Sequence, residues 1–375
     1  MELDASLYWL ALSLTPGIAA RLSGKLLRQF GSPEAVFRAP LTELESCNLP
    51  ALAAQAICKQ TALRVAEKEL AALRRNGDKL LNWDEPQYPK GLLEMYDPPP
   101  LLYFRGDLAL LARHCISMVG TRRPTLYGNQ IAERLARDLA ARGVVIVSGM
   151  ARGIDSSSHE GALAAPNGKT IGVLGTGINV VYPKENRKLY AQVEKEGALI
   201  TEFPLGTHPA PENFPIRNRI VAGMSLGVVI VEGAQYSGSL ITARLAMESG
   251  REVFAVPGNV TQPVSFAPNQ LIKQGAKLVT GWEDVVEELP TPIRAELFPV
   301  ESPGAEERAG LFQASLLGAE GTLYAMLNTD EPRHVDELVE RSGLNSSEVL
   351  ATLFTLEMKG IVRQMPGKQF VRVLL

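Results

Sequence analysis

The chain has 375 residues, of which 46% are hydrophobic and 21% charged, and its formal net charge is −3. This length allows two or three domains with ordinary cores, and the charge balance excludes a uniformly basic nucleic-acid coat. No apolar run approaches the ~20 residues that span a bilayer, and residues 1–4 lack a signal-peptide pattern, so we expect a cytoplasmic protein. Cys47, Cys58 and Cys115 have no C-x-x-C spacing, which predicts buried thiols and no metal site.

Residues 1–75 predict a small helical domain, because leucines keep helical spacing between turns rich in proline and glycine. The Pro16-Gly17-Ile18 turn resembles that of a helix-hairpin-helix, which holds DNA phosphate through backbone N–H groups, so the domain is described as SAM-like or helix-hairpin-helix-like. Ala19 replaces the second glycine that would let a phosphate approach closely. Packing is therefore the favoured role of this turn.

Residues 76–290 predict an α/β domain with a mostly parallel sheet. Runs rich in valine and isoleucine alternate with helical stretches, which is typical of strands buried on both faces. The predicted strands are Leu101–Phe104, Ile116–Val119, Val144–Val147, Thr170–Leu174, Ala198–Thr201, Gly227–Val231, Glu252–Val256 and Lys277–Val279.

Four of these strands lead into turns suited to anions. In an open α/β sheet such turns lie at the carboxyl edge, where free N–H groups at helix starts favour phosphate. The turns contain Arg122 with Arg123, Ser148-Gly149 with Arg152, Gly175-Thr176-Gly177 with Lys184, and Ser237-Gly238-Ser239. A solvated arginine or a sheet-packing glycine would explain any one of them, but four together predict a phosphate-binding edge.

Other ligand and catalytic motifs fail on spacing. Gly168-Lys169-Thr170 lacks the earlier glycine of a P-loop, and Val180 stands where a dinucleotide fingerprint after Gly175 needs glycine, so no cofactor is expected. Asp155 and His159 lie near serines, but no nucleophile-elbow motif surrounds them. Helix capping by Asp155 or Ser156 is the preferred interpretation.

Six motifs together resemble those of the DNA-processing protein family DprA/Smf. They are Gly120-Thr121-Arg122, residues 148–155, Gly175-Thr176-Gly177 with Tyr182-Pro183, residues 214–220, residues 237–243 and Val256-Pro257-Gly258. The resemblance covers roughly residues 84–280. It implies an extended Rossmann-like domain that binds single-stranded DNA, protects incoming DNA during natural transformation and helps to load the RecA recombinase. It implies a homodimer and no catalysis.

The resemblance also implies roles for individual residues. It places Arg122 and Lys184 at the DNA phosphates, in a pocket that the other turns line. The predicted DNA-binding residues are Arg122, Arg123, Ser148, Gly149, Arg152, Gly175, Gly177, Lys184, Arg217, Asn218, Arg219, Ser237, Gly238 and Ser239. Tyr127, Tyr182 and Phe214 could stack on bases, although core packing is the commoner reason for an aromatic beside a turn. One departure from the family pattern is Phe266-Ala267-Pro268-Asn269, where glycine usually precedes the asparagine.

Residues 291–312 predict an acidic, proline-rich linker, and residues 313–375 a winged helix. Three short helices, the last capped by Asn345, precede a hairpin. Lys359 is the only cation of that third helix, which favours protein contact or regulation over reading a DNA groove.

A nucleotide-processing enzyme, similar to the Rossmann-like phosphoribohydrolases, is the alternative function. Such an enzyme needs a Pro-Gly-Gly turn, a following Gly-Thr and a catalytic glutamate. The corresponding region here is Ala234-Gln235-Tyr236-Ser237-Gly238-Ser239. The sequence therefore favours a binding protein over an enzyme.

Overall fold

The computed structural model describes residues 5–297, 318–328, 332–358, 361–365 and 367–372. The chain divides into two compact units, Met1–Phe298 and Pro299–Leu375, and each is described by itself. Within the described ranges, no helix combines the length and apolar character that crossing a membrane requires.

A bundle of short helices begins the first unit. These helices are α1 (Ala5–Ser13), α2 (Ala20–Phe30), α3 (Pro33–Arg38), α4 (Leu41–Ser46), α5 (Ala51–Cys58) and α6 (Thr61–Asn76). Ile18 of the Pro16-Gly17-Ile18 turn is buried in the bundle core, which agrees with a packing role. The core continues into the sheet through Tyr103, whose hydroxyl donates to Glu69 Oε1 at 2.7 Å. Residues 1–75 and 76–290, predicted as two domains, thus lie in one compact unit.

Nine strands form one sheet within residues 5–297, in the order β1-β2-β6-β5-β4-β3-β7-β8-β9. They are β1 (Lys79–Asn82), β2 (Leu101–Gly106), β3 (Cys115–Val119), β4 (Val145–Ser148), β5 (Thr170–Val173), β6 (Ala198–Thr201), β7 (Gly227–Ile230), β8 (Glu252–Ala255) and β9 (Lys277–Leu278). The seven strands from β6 to β9 in this order are parallel, and β2 and β1 add antiparallel edge strands. Every predicted strand is present. β1 was not predicted, because its Leu80-Leu81 pair is too short a run for periodicity to detect.

Helices connect the strands and cover both faces. They are α7 (Lys90–Leu93), α8 (Leu126–Ala140), α9 (Ile154–Ala164), α10 (Arg187–Glu196), α11 (Asn213–Gly223), α12 (Gly238–Glu248), α13 (Phe266–Lys273), α14 (Trp282–Glu287) and α15 (Thr291–Leu297), with 3-10 helices at Leu108–Ala112, Lys184–Asn186 and Pro263–Ser265. Ile116 packs with Leu135 of α8 on one face, and Val228 packs with Ile220 of α11 on the other. This burial on both faces explains the continuous apolar strands.

Two predictions differ from the structure. The predicted linker begins with α15, whose Ile293 and Leu297 are spaced one helical turn apart and pack against the core of the first unit. The other residues of that linker, 298–312, lie outside the described ranges. Cys58 is exposed at the end of α5, whereas Cys47 and Cys115 are buried as predicted.

The second unit has a winged-helix arrangement. Its elements are α16 (Ala319–Met326), β10 (Arg333–His334), α17 (Val335–Ser342), α18 (Ser346–Met358), β11 (Val362–Met365) and β12 (Gln369–Arg372), with the strands in the order β10-β12-β11. Asn345 Oδ1 accepts the Glu348 N–H at 2.9 Å, which confirms the predicted cap. Lys359, the only cation of the predicted third helix, lies outside the described residues.

Candidate nucleic-acid interface

The order of the strands reverses between β3 and β7. From β3 the chain adds β4, β5 and β6 on one side, and then returns to place β7 on the other side of β3. Ligands of open α/β sheets bind outside the carboxyl ends of the strands at such a switch point. A cleft of about 680 Å³ opens there, lined by residues that follow β3, β4, β5, β6 and β7. The prediction that these turns share one edge of the sheet is confirmed.

Some of the predicted DNA-binding residues line this cleft, namely Arg122, Arg217, Asn218, Ser237, Gly238 and Ser239. Arg122 is exposed, and its guanidinium carbon lies 5.0 Å from the centre of the Phe214 ring. The Phe214 ring in turn lies 5.7 Å from that of Tyr182. Among the described residues, no carboxylate forms an ion pair with Arg122. Its charge is therefore available to an anion.

The amino end of α12 supplies a second source of positive potential. Ser237 caps this helix, because its Oγ accepts the Ser239 N–H at 3.3 Å and the Ser239 hydroxyl at 2.8 Å. Gly238 at the first helical position lies in the cleft. The helix dipole and the Gly238 N–H at the first helical position favour an anion at this end.

Two buried charges of opposite sign build the wall of the cleft. Arg217 donates from Nη1 to the Val173 carbonyl at 2.8 Å, and its guanidinium covers Gly149 so closely that any Cβ there would overlap it. Asp155 accepts the N–H groups of Gly149 and Ala151 at 3.2 and 3.4 Å. Burial lowers the pKa of Arg217 and raises the pKa of Asp155, and their mutual attraction opposes both shifts.

These contacts correct the predicted caps of α9. Asp155 stabilises the turn after β4, and the Ser156 hydroxyl donates to the Ala151 carbonyl, so neither side chain caps the helix. His159 is buried and its Nδ1 lies 2.6 Å from Thr170 Oγ1. It is not exposed to the cleft.

Several predicted residues lie beneath the turns and do not reach the cleft. The buried Ser148 hydroxyl donates to the Met118 carbonyl at 2.6 Å. Gly149, Gly175 and Gly177 are also buried, and they allow the close approach of Arg217, Phe214 and the loop at residues 204–207, respectively. These residues shape the turns, and their burial does not support direct contact with DNA.

The remaining cations that were predicted to bind DNA differ in whether a carboxylate pairs with them. Arg219 is buried and donates to Glu202 and to the Asp97 carbonyl, so its position does not support a DNA contact. Arg152 is exposed but pairs with Glu185. Arg123 follows Arg122 and Lys184 lies two residues after Tyr182, which lines the cleft. Both cations are exposed, and neither forms an ion pair within the described part of the chain.

Glu232 is a residue to which the sequence assigned no role. Its buried carboxylate accepts from Thr125, whose Oγ1 caps α8 by accepting the Gly128 N–H at 3.0 Å. The Glu232 carbonyl also accepts the Thr121 N–H at 2.7 Å. Glu232 therefore holds the turn that carries Arg122. The only signal in the sequence is an acidic residue directly after a buried strand.

Two protein-family models match this chain. Residues 79–290 match the model of the family described as DNA recombination-mediator protein A, and residues 313–368 match the DprA winged helix domain. The chain belongs to the DprA/Smf family. It is 46% identical over 222 residues to DNA processing protein DprA of Bacillus subtilis (strain 168), which covers 59% of this chain and 74% of that protein.

Two solved structures of DprA proteins are similar to this chain. DNA processing protein A from Streptococcus pneumoniae has a TM-score of 0.68 and 33% identity, over 77% of this chain and 99% of that one. DNA processing protein A from Helicobacter pylori, described for its single-stranded DNA binding mode, has a TM-score of 0.51 and 32% identity, over 56% and 94%. The predicted Rossmann-like fold with a winged helix is thus confirmed, and DprA/Smf membership assigns the chain to DNA processing in recombination.

Proposed function

We propose that this chain binds single-stranded DNA, protects incoming DNA during natural transformation and helps to load RecA, as a cytoplasmic homodimer that catalyses no reaction. One observation carries the proposal. The exposed Arg122 and the capped amino end of α12 lie in a single cleft at the switch point of the sheet. Arg122 and the helix end together form a phosphate-binding site that does not depend on base sequence, as single-strand binding requires.

The carboxylates of Asp155 and Glu232, which lie after β4 and β7, argue against the alternative function, a nucleotide-processing enzyme. A catalytic acid or base must reach the reacting group of a bound nucleotide. Asp155 accepts two backbone N–H groups, and Glu232 accepts the N–H and the hydroxyl of Thr125. Both carboxylates are buried and serve the turns. We therefore infer structural roles for both carboxylates.

Fluorescence anisotropy of a labelled oligo-dT and of a matched duplex, over a series of salt concentrations, tests the DNA-binding step. We expect tighter binding of the single strand and release as salt rises, because phosphate contacts displace counterions. Equal affinity for the duplex would contradict the proposal. So would release of nucleobase from nucleoside monophosphates that disappears in Asp155→Asn.

RecA filament assembly on single strands coated with single-strand binding protein tests the loading step. We expect the chain to accelerate assembly, and Arg122→Ala to lose this effect together with DNA affinity. A chain that binds single strands but leaves the assembly rate unchanged would contradict the loading role.

A further inference from the structure

A second groove, of about 420 Å³, lies beside the cleft. Tyr236, Gln235, Pro263 and Phe266 line it, together with Thr121 and Ser237, which also line the cleft. Because the cleft and the groove share these two residues, they are continuous, and an extended ligand that fills the cleft can enter the groove directly.

The aromatic ring of Tyr236 in this groove takes little part in the packing of the fold. Tyr236 is 93% exposed, and Phe266 is 42% exposed at the start of α13. A ring this exposed contributes little to the hydrophobic core. Proteins that bind single strands stack the bases on aromatic side chains that lie beside the groove holding the phosphates.

Backbone hydrogen bonds join the walls of this groove. The Gly233 N–H donates to the Val264 carbonyl at 2.6 Å, and the Ala267 N–H donates back to the Gly233 carbonyl at 2.8 Å. The Ser237 N–H closes the turn that carries Tyr236 by donating to the Ala234 carbonyl at 3.0 Å. The loops are therefore preorganised, which lowers the entropy lost when a ligand binds.

We propose that this groove holds a nucleobase of the strand whose phosphates occupy the cleft, stacked on Tyr236, with Phe266 as the adjoining wall. The inference rests on the proposed function, since it takes the cleft as the phosphate site. Every base has a π-face, and the exposed amide of Gln235 carries both donors and an acceptor, so the site tolerates any base. The strand then leaves the cleft past Ser237.

Binding of two probes separates this stacking from phosphate contact: oligo-dT, and an oligonucleotide of the same length without bases. We expect Tyr236→Ala to weaken oligo-dT binding by about 5-fold to 150-fold, the range for losing one stacked base. The slope of log affinity against log salt should stay unchanged, because no phosphate contact is lost. Tyr236→Trp should restore affinity, and the strand without bases should bind wild type and Tyr236→Ala equally.

Tyr96→Ala is the matched control, since Tyr96 is 78% exposed and contacts Arg21 instead of the groove. It should leave affinity unchanged, and neither variant should alter the melting curve. Full affinity of Tyr236→Ala for oligo-dT would overturn the base site. A changed salt slope in this variant would do the same, and so would loss of its effect on RecA assembly with unchanged DNA affinity. If Arg122→Ala still lowers the salt slope in that case, the proposed function stands. Wild-type protein that binds no single strand would refute both.

Discussion

The Glu232 carboxylate accepts the backbone N–H of Thr125 at 2.9 Å and its hydroxyl at 2.5 Å, although the two residues lie 107 positions apart. Glu232 follows β7, and Thr125 precedes α8, which follows β3. The contact therefore joins the turns on the two sides of the switch point. It holds the turn that carries the Arg122 charge.

Glu232→Gln should lower the free energy of unfolding by about 1–3 kcal/mol, because its amide group would place a donor against one of the two Thr125 donors. Single-strand affinity should fall as well, since the Arg122 turn loses an anchor. Urea denaturation and anisotropy measure the two effects. Glu248→Gln, on the exposed face of α12 beside Arg244, is the control and should change neither. An unaltered denaturation midpoint for Glu232→Gln would refute the anchoring role.

Arg122→Ala and Lys184→Ala should each weaken binding by similar factors on oligo-dT and on mixed sequences. Each should lower the slope of log affinity against log salt by roughly 0.7, the value for one lost phosphate contact on a single strand. Stability should change by less than about 0.5 kcal/mol, because both side chains are exposed. Arg134→Ala, on the exposed face of α8, is the control. If Arg122→Ala kept the wild-type affinity and the wild-type salt slope, Arg122 would not be part of a phosphate-binding site.

Arg219→Ala should act on stability instead of on binding. Arg219 and Glu202 form an ion pair with side chains only 8% and 14% exposed, so removing the arginine leaves a buried carboxylate without its partner. We expect a loss of about 3–5 kcal/mol in unfolding free energy, measured by urea denaturation. The folded protein should keep the wild-type salt slope. A reduced slope with intact stability would instead return Arg219 to the DNA contacts.

His159 should make stability depend on pH. The Thr170 hydroxyl donates its hydrogen to the Ile146 carbonyl, so the protonated Nδ1 of His159 donates to Thr170 Oγ1. The other ring nitrogen, Nε2, has no partner among the described residues. Burial, and then the charge of Arg217, lower the pKa of His159 from 6.5 to about 3. As the pH falls, His159 therefore takes up its second ring proton at a higher pH in the unfolded chain than in the folded protein. The stability from the neutral ring is fully present above pH 6.5 and is lost as the pH falls from 6.5 towards 3.

Urea denaturation at several pH values measures this loss, which should reach about 1.4 kcal/mol per pH unit. His159→Gln should be less stable than wild type at pH 7, and the difference should narrow as the pH falls. His208→Gln replaces an exposed histidine and should keep the wild-type slope. A wild-type slope in His159→Gln would show that other groups cause the dependence.

The sequence by itself determined the α/β sheet, the winged helix and the edge at which the turns meet. Strands such as Ile116–Val119 are short, apolar and bounded by glycine, and parallel strands place the following turns at one edge. Only the tertiary structure decided which cations are available. Arg122 and Arg219 both belong to family motifs, but Arg219 lies on the buried side of α11, where Glu202 and Asp97 meet it from distant segments. Burial and pairing of this kind depend on residues far apart in the chain, which local pattern does not encode.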